Sequence, residues 1–371
     1  MKLNLFTLVT LIASTFAIPV GEKPENANLR RISTKEGESQ WMTEDEIAVL
    51  IRDVIPFIDL TDEVPTNNFR PAPRPIRANP STPTQQSLVK PLTEQIDLQQ
   101  MKDFLTTFST FNNRYYKSTS GKESSIWLQG QLEAVAKYSN STSVKVEIVP
   151  FTHPSFAQKS LIAKIIPTQP INAGRTIVGA HQDSINGQNA LNGRAPGADD
   201  DGSGTGSIFE AFRLLVVNNY VPKKTLEFHF YAAEEAGLLG SQAIAVKYKS
   251  DNVIVDGMLQ VDMTGYVKPG TTEVIGIETS RYADTSISTF LKTLSAEYAA
   301  IPGVSTSCGY ACSDHASWTK NGYKAAFLFE SLFENHNKQI HTANDSLEKV
   351  SFSHMAEFTK LILGWAVEMT A

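Results

Sequence analysis

Two adjacent carboxylates, Glu234 and Glu235, stand where the strand-like segment 225–233 gives way to small residues and glycines that open a helix. Alone, such a pair is most often a solvated helix start, where the helix dipole favours acids. Two neighbouring carboxylates in one cleft can also divide a task, one holding a metal and the other moving a proton. Other strand ends along the chain carry matching chemistry. Segment 176–180 runs into His181-Gln-Asp183-Ser, and the loop behind it closes with Pro196-Gly-Ala-Asp199-Asp200-Asp201-Gly-Ser-Gly at a helix start. Segment 258–261 ends in Asp262, segment 325–329 ends in Glu330, and His341 follows in Ile-His-Thr-Ala-Asn-Asp.

Two imidazoles with three or more carboxylates suit zinc or a similar divalent ion in a hydrolytic site. Charge suggests how many ions. Asp200, Glu235 and Asp262 with one hydroxide balance two divalent ions, which leaves no large uncompensated charge buried. One carboxylate must then lie between the ions. The glycine-rich loop suits that position because Gly202 and Gly204 allow close backbone approach. Glu234, not needed as a ligand, is free to take and return a proton, and Asp183 is placed to accept the other N–H of His181.

The elements that must position these residues read as alternating strands and helices. Strands are expected at 143–149, 161–166, 176–180, 225–233, 258–262, 273–277 and 325–330. Helices are expected at 95–111, 123–139, 204–218, 238–249, 284–298 and 352–369. Several strands are continuously apolar, so the fold class is α/β: one domain with a mostly parallel central sheet covered by helices on both faces. In such sheets ligands bind beyond the carboxyl ends of the strands, which is where the acidic and histidine residues collect.

The 371 residues are 41% hydrophobic and 19% charged with net charge −6, a soluble globular composition that argues against nucleic acid as a partner. Residues 1–17 have one Lys, an apolar run, and small residues at Thr15 and Ala17 before Ile18-Pro19. That is the layout of a secretory leader, and the run is too short to span a membrane. The protein is thus expected outside the cell, where the lone pair Cys308 and Cys312 forms a disulfide. Residues 18–55 are polar, with one amphipathic helix capped by Thr43. Residues 56–91 hold eight of the eighteen prolines and read as an extended exposed tether. The expected organisation is a leader at 1–17, a propeptide at 18–85 ending somewhere in 79–89, and a catalytic domain at 86–371. Sequons stand at Asn140 and at Asn344, the second crowded by His341.

Taken together, His-x-Asp-Ser, Pro-Gly-Ala-Asp-Asp-Asp-Gly-Ser-Gly, Ala-Glu-Glu-x-Gly-Leu-x-Gly-Ser, Asp-Met-x-Gly, Cys-Gly-Tyr-Ala-Cys-Ser-Asp-His and Ile-His-Thr-x-x-Asp resemble the two-zinc aminopeptidases of the M28 type. The similarity spans roughly residues 92–371 and is nearest to the secreted fungal leucine aminopeptidases. The resemblance implies that His181 and Asp262 hold one zinc and that Glu235 and His341 hold the other. It implies Asp200 between them, with Asp199 and Asp201 as competitors, Glu234 as general base and Asp183 behind His181. It also implies that Tyr310 lies near the substrate, and that His229, His315, His336 and His354 are structural or surface residues. The implied reaction releases N-terminal Leu or other apolar residues from peptides by attack of a bridging hydroxide, in a monomer inhibited or helped to fold by its own propeptide. The rival readings are a carboxypeptidase or other amide hydrolase on the same metal core, and a non-catalytic peptide-binding ectodomain.

Overall fold

The first described element is not the expected single helix but a small antiparallel sheet. Strands β1 (Arg30–Lys35) and β2 (Glu38–Met42) form a hairpin, β3 (Ile58–Asp59) pairs with the other edge of β1, and α1 (Glu44–Arg52) lies between. A capping box fixes the start of α1: Thr43 accepts from the Glu46 backbone N–H, and the Glu46 carboxylate accepts from that of Thr43. Ile47 and Ile51 recur at i, i+4 on the buried face of α1 and join Ile32, Met42 and Phe57 in a cluster that also takes Ile185 from the main body. This is a computed structural model that describes residues 28–62 and 80–371; the expected leader and residues 63–79 of the Pro-rich stretch lie outside the described residues.

The reading of 56–91 as an exposed tether is corrected at both ends: Phe57, Ile58 and Asp59 are buried, the last two in β3. Residues 86–93 form α2 (Gln86–Thr93), whose Val89 and Leu92 are buried despite the internal Pro91. The preceding residues are anchored as well: the backbone N–H groups of Thr84 and Gln85 donate to the buried Glu368 carboxylate at 2.9 Å.

From there the elements follow the expected alternation: α3 (Leu98–Phe108), α4 (Thr119–Ala136), β4 (Val144–Phe151), β5 (Ser160–Pro167), β6 (Arg175–His181), α5 (Gly202–Val217), β7 (Thr225–Tyr231), α6 (Leu239–Ser250), β8 (Val255–Val261), β9 (Ile275–Glu278), α7 (Thr285–Tyr298), β10 (Gly303–Thr306), α8 (His315–Lys320), β11 (Ala325–Phe329) and α9 (Phe352–Thr370). The sheet order is β10-β9-β11-β8-β6-β7-β5-β4. It is mixed. Its centre, β7-β6-β8-β11, is parallel, while β4, β5 and β7 run antiparallel at one edge and β9 is antiparallel to β11 near the other.

Alternation along the strands feeds two cores. Val178, Leu226, Phe228 and Leu259 join the large core with α5 and α9, whereas Ile177, Tyr231 and Met258 face a smaller core built on Trp318 and Tyr248. The parallel strands therefore discharge their carboxyl ends on one edge, between two rigid helical layers. Among the described residues, no helix is long and apolar enough to cross a membrane.

Candidate metal centre and active site

His181 is the last residue of β6, Glu234 and Glu235 follow β7, and Asp262 follows β8. The loop before α5 supplies Asp200, and the loop after β11 supplies His341. Two groups of donors result: His181, Asp200 and Asp262, and Asp200, Glu235 and His341, with the candidate ligand atoms of each group within 4.8 Å of one another. Asp200 belongs to both. Its Oδ1 is 3.1 Å from His181 Nε2, and its Oδ2 is 3.3 Å from His341 Nε2. Asp262 Oδ1 lies 3.4 Å from His181 Nε2, and Glu235 Oε2 lies 2.8 Å from His341 Nε2.

The neighbouring aspartates of Asp199-Asp200-Asp201 serve the backbone instead. Asp201 caps α5 through the Gly204 N–H and also accepts the N–H groups of His181 (3.1 Å) and Met263 (3.0 Å), tying the ends of β6 and β8 to the start of α5. A Cβ at Gly204 would stand 2.3 Å from Asp201 Oδ1, so this loop needs glycine there. Asp199 accepts from Gly265 N–H at 3.0 Å and from Asn337 Nδ2 at 3.1 Å. Asp345, four residues past His341, accepts the N–H groups of Asp199 (3.1 Å) and Asp200 (3.0 Å) and so fixes the shared carboxylate. Glu330 is also turned away from the donors and accepts from Tyr266 and Asn337 N–H.

Asp183 lies 3.4 Å from His181 Nδ1 and accepts the N–H groups of both Glu234 (3.0 Å) and Glu235 (3.2 Å), so one carboxylate orients three neighbours. Arg114, which sequence reasoning missed, is fully buried beneath the site. Its guanidinium donates to the carbonyls of Gln182 (2.7 Å), Pro196 (2.5 Å) and Gly197 (2.8 Å), bracing both donor-bearing loops. Burial pushes its pKa down to about 10, against the pull of Asp345 and Asp183. No periodicity or spacing distinguishes such an Arg from a surface one. Ala233, Met263 and His341 are non-glycine residues with φ of 56°, 57° and 57°. Left-handed backbone at such residues costs on the order of 1–3 kcal/mol each and clusters at functional sites.

The electrostatics are those of a cation site. Burial alone would raise Asp200, but hydrogen bonds from His181 and His341 hold it below the ordinary carboxylate range. Burial disfavours a charged His341, yet Glu235 and Asp200 lift its pKa well above the usual value. Burial raises Glu235 to about 7 despite His341. Burial, then the charges of Asp314 and Glu235, lift Glu234 well above the carboxylate range against the pull of His181. Asp262 Oδ1 is buried and accepts no hydrogen bond. Crowded carboxylates, two imidazole Nε2 atoms aimed at them and one orphaned oxygen fit divalent metal, which would supply the missing positive charge.

Glu234 lines the same cavity without belonging to either donor group. Met263, Phe327, Phe329, Phe333 and Ile340 form its apolar wall beside the donors. His336, expected at the surface or in a structural role, also lines the cavity. Cys308 and Cys312 are bonded, and Ala311 and Cys312 of this loop reach the cavity. Tyr310 instead packs on Tyr282, and its hydroxyl meets Ser33 Oγ of β1 at 2.5 Å. The opposite wall comes from the N-terminal body: Ile51, Val54, Ile55, Pro56 and Phe57. His229, His315 and His354 do not line the cavity. His229 is buried against Glu227, His315 is stacked on Phe327, and His354 bonds the Glu330 carbonyl. Asn140 and Asn344 are both exposed.

Comparison with known proteins agrees with this geometry. Residues 160–366 match the model of peptidase family M28. A leucine aminopeptidase 1 of Neurospora crassa is 42% identical over 359 residues, covering 94% of this chain and 88% of the relative. A leucine aminopeptidase 1 of Blastomyces gilchristii is 41% identical, covering 100% of this chain and 99% of the relative. Among solved structures, the Legionella pneumophila LapA aminopeptidase superposes with a TM-score of 0.80 at 26% identity, covering 92% of this chain and 98% of that one. The family match takes in β5 through most of α9 and so spans every donor in the cluster: the chain belongs to peptidase family M28.

Proposed function

We propose that this metallo-aminopeptidase works through two zinc ions shared across Asp200, and that it is secreted as a precursor whose N-terminal segment closes the site. The observation that carries the reading is the pair of three-residue donor groups meeting at one carboxylate, with Glu234 beside them and uncommitted. His181 and Asp262 would hold one ion, Glu235 and His341 the other. Ions so held polarise a peptide carbonyl and lower the pKa of water. Glu234 takes the proton from the attacking water and passes it to the leaving amine. Asp183 holds Glu234 and Glu235 in register through their backbone N–H groups. The free α-amine of the substrate is drawn to the carboxylate-rich end of the cavity, and the first side chain packs on Met263, Phe327, Phe329 and Ile340. That apolar wall supports a preference for Leu and similar residues. Every proposed ligand comes from one chain, which supports a working monomer.

The segment at 18–85 is read as a propeptide that inhibits by occupation, with the mature domain starting in 79–89. Ile51 and Val54 to Phe57 share the cavity with the proposed ligands, and the anchoring of Thr84 and Gln85 on Glu368 favours the early part of that window. Asn140 and Asn344 are both open to glycosylation by their exposure.

The test is hydrolysis of leucyl amide against N-acetyl-leucyl amide by chain freed of its N-terminal segment. Only the free amine should be turned over. Equal rates would favour a general amide hydrolase, release from the carboxyl end a carboxypeptidase, and no turnover with zinc bound a peptide-binding module.

A further inference from the structure

We infer that the N-terminal segment also builds part of the metal site: the Ile51 carbonyl is the outer partner of His341, so seating of the segment and zinc binding strengthen each other. This rests on the ligand and occlusion readings above. An imidazole that binds metal through Nε2 carries its proton on Nδ1, and that N–H needs an acceptor to fix the ring and sharpen its basicity. His341 Nε2 faces Glu235 and Asp200, and its Nδ1 lies 2.8 Å from the Ile51 carbonyl oxygen. That carbonyl sits in the last turn of α1, at the negative end of the helix dipole, where acceptors lack helical donors. It also accepts the Val54 N–H at 3.2 Å, while the Asp53 N–H bonds chiefly to the Val49 carbonyl at 3.0 Å, so one lone pair of the Ile51 oxygen is left for the imidazole.

The main chain of His341 is braced from the same side. Its residue is in the left-handed region, and its carbonyl accepts the Gly187 N–H at 2.9 Å. Gly187 is pressed against α1: a Cβ there would meet the Arg52 Cα at 2.9 Å. The last turn of α1 thus steadies the His341 ring directly and its backbone through Gly187.

The two histidines differ in this respect. His181 has Asp183, which belongs to the catalytic body and stays after processing. His341 borrows its acceptor from the segment that leaves. By linkage, the factor by which the seated segment tightens zinc is the factor by which zinc tightens the segment. Outer partners of metal-bound histidines are worth on the order of 10–100-fold in metal affinity. The precursor therefore holds its metal more firmly than the mature enzyme, at the moment when it cannot act.

The experiment is equilibrium competition for zinc with a chromogenic chelator, on uncut full-length chain, comparing wild type with I47D and, separately, I32D. Both isoleucines are 1% exposed in the cluster that seats the segment, and neither touches the catalytic machinery. Activity of the same uncut samples reports unseating. The expected result is higher activity with one zinc weakened about tenfold or more and the other changed less than about twofold; the unchanged ion also shows that the catalytic body is folded. In wild type, stripping zinc should speed hydrogen exchange in α1. Higher activity with both zinc affinities unchanged would overturn the inference while leaving occlusion intact. No rise in activity in either variant would overturn occlusion itself, and this inference with it.

Discussion

Replacing Ile47 by Ala should convert a closed precursor into a leaky one without altering the enzyme it yields. Ile47 is 1% exposed and packs with Ile32, Met42, Ile51 and Phe57 of the segment and with Ile185 of the catalytic body. Truncating a buried Ile to Ala costs about 2–5 kcal/mol, transfer and cavity terms together. The cost falls on the seated state, because an unseated segment already exposes this face. At 1.4 kcal/mol per tenfold, the open fraction rises about 30-fold at the low end of that range. The polar contacts of the seat remain: Tyr310 with Ser33, His341 with Ile51, and the Asp59 N–H with the Gly237 carbonyl at 3.1 Å. The low end is therefore the appropriate one. The assay is leucyl p-nitroanilide hydrolysis by uncut wild type and I47A, then by both after proteolysis at the proposed boundary in 79–89 and removal of the segment. Uncut I47A should exceed uncut wild type by about tenfold or more, and the two processed enzymes should be indistinguishable. If uncut wild type already runs at the processed rate, or if I47A unseats the segment by hydrogen exchange without raising turnover, the occlusion argument is wrong.

Glu234→Gln should lower kcat about 10²–10⁴-fold with zinc content unchanged, because a general base is lost and no ligand is; loss of zinc would instead make Glu234 a ligand. Away from the site, Glu227 is fully buried with His229, Lys164 and Arg175 around it. Burial would raise its pKa, but the hydrogen bond from His229 and the charges of Lys164 and Arg175 hold it below the usual carboxylate range. A lowered folded pKa means that its stabilisation is complete above the unfolded value of about 4.3 and is lost as pH falls further. Glu227→Gln should cost about 3 kcal/mol at pH 7, the lower end for breaking a buried pair because Lys164 and Arg175 are partly exposed. In thermal melts of processed enzyme the gap between wild type and E227Q should narrow progressively as pH falls below about 4; a gap that is constant across pH would contradict the charge argument.

What could be read from the sequence followed physical periodicity. Strand-like segments such as 225–231 and 258–261, bounded by turns, placed Glu235 and Asp262 at one sheet edge, because a parallel strand must end where its crossover begins. Thr43 announced α1 as its N-cap. The N-terminal strands are not legible because their sequence is polar: β1 reads Arg-Arg-Ile-Ser-Thr-Lys, with buried Arg31 bonded to the Leu60 carbonyl and buried Ser33 to Tyr310. Helix α2 was hidden by Pro91, and β10 by having only four residues. The choice among Asp199, Asp200 and Asp201 depends on which backbone N–H groups each carboxylate must serve, and those donors, at 181, 263 and 265, are remote in sequence. The cavity wall supplied by Ile51 and Val54 to Phe57 is likewise tertiary, and no local pattern encodes it.

The central claim is that Asp200 joins two metal sites, and zinc content per chain tests it most directly. Processed wild type should carry two zinc ions per chain, lose aminopeptidase activity on chelation and recover it on return of zinc, while Asp200→Ala should fail to hold the pair. Full activity in metal-free enzyme, or two zinc ions retained by Asp200→Ala, would contradict the account.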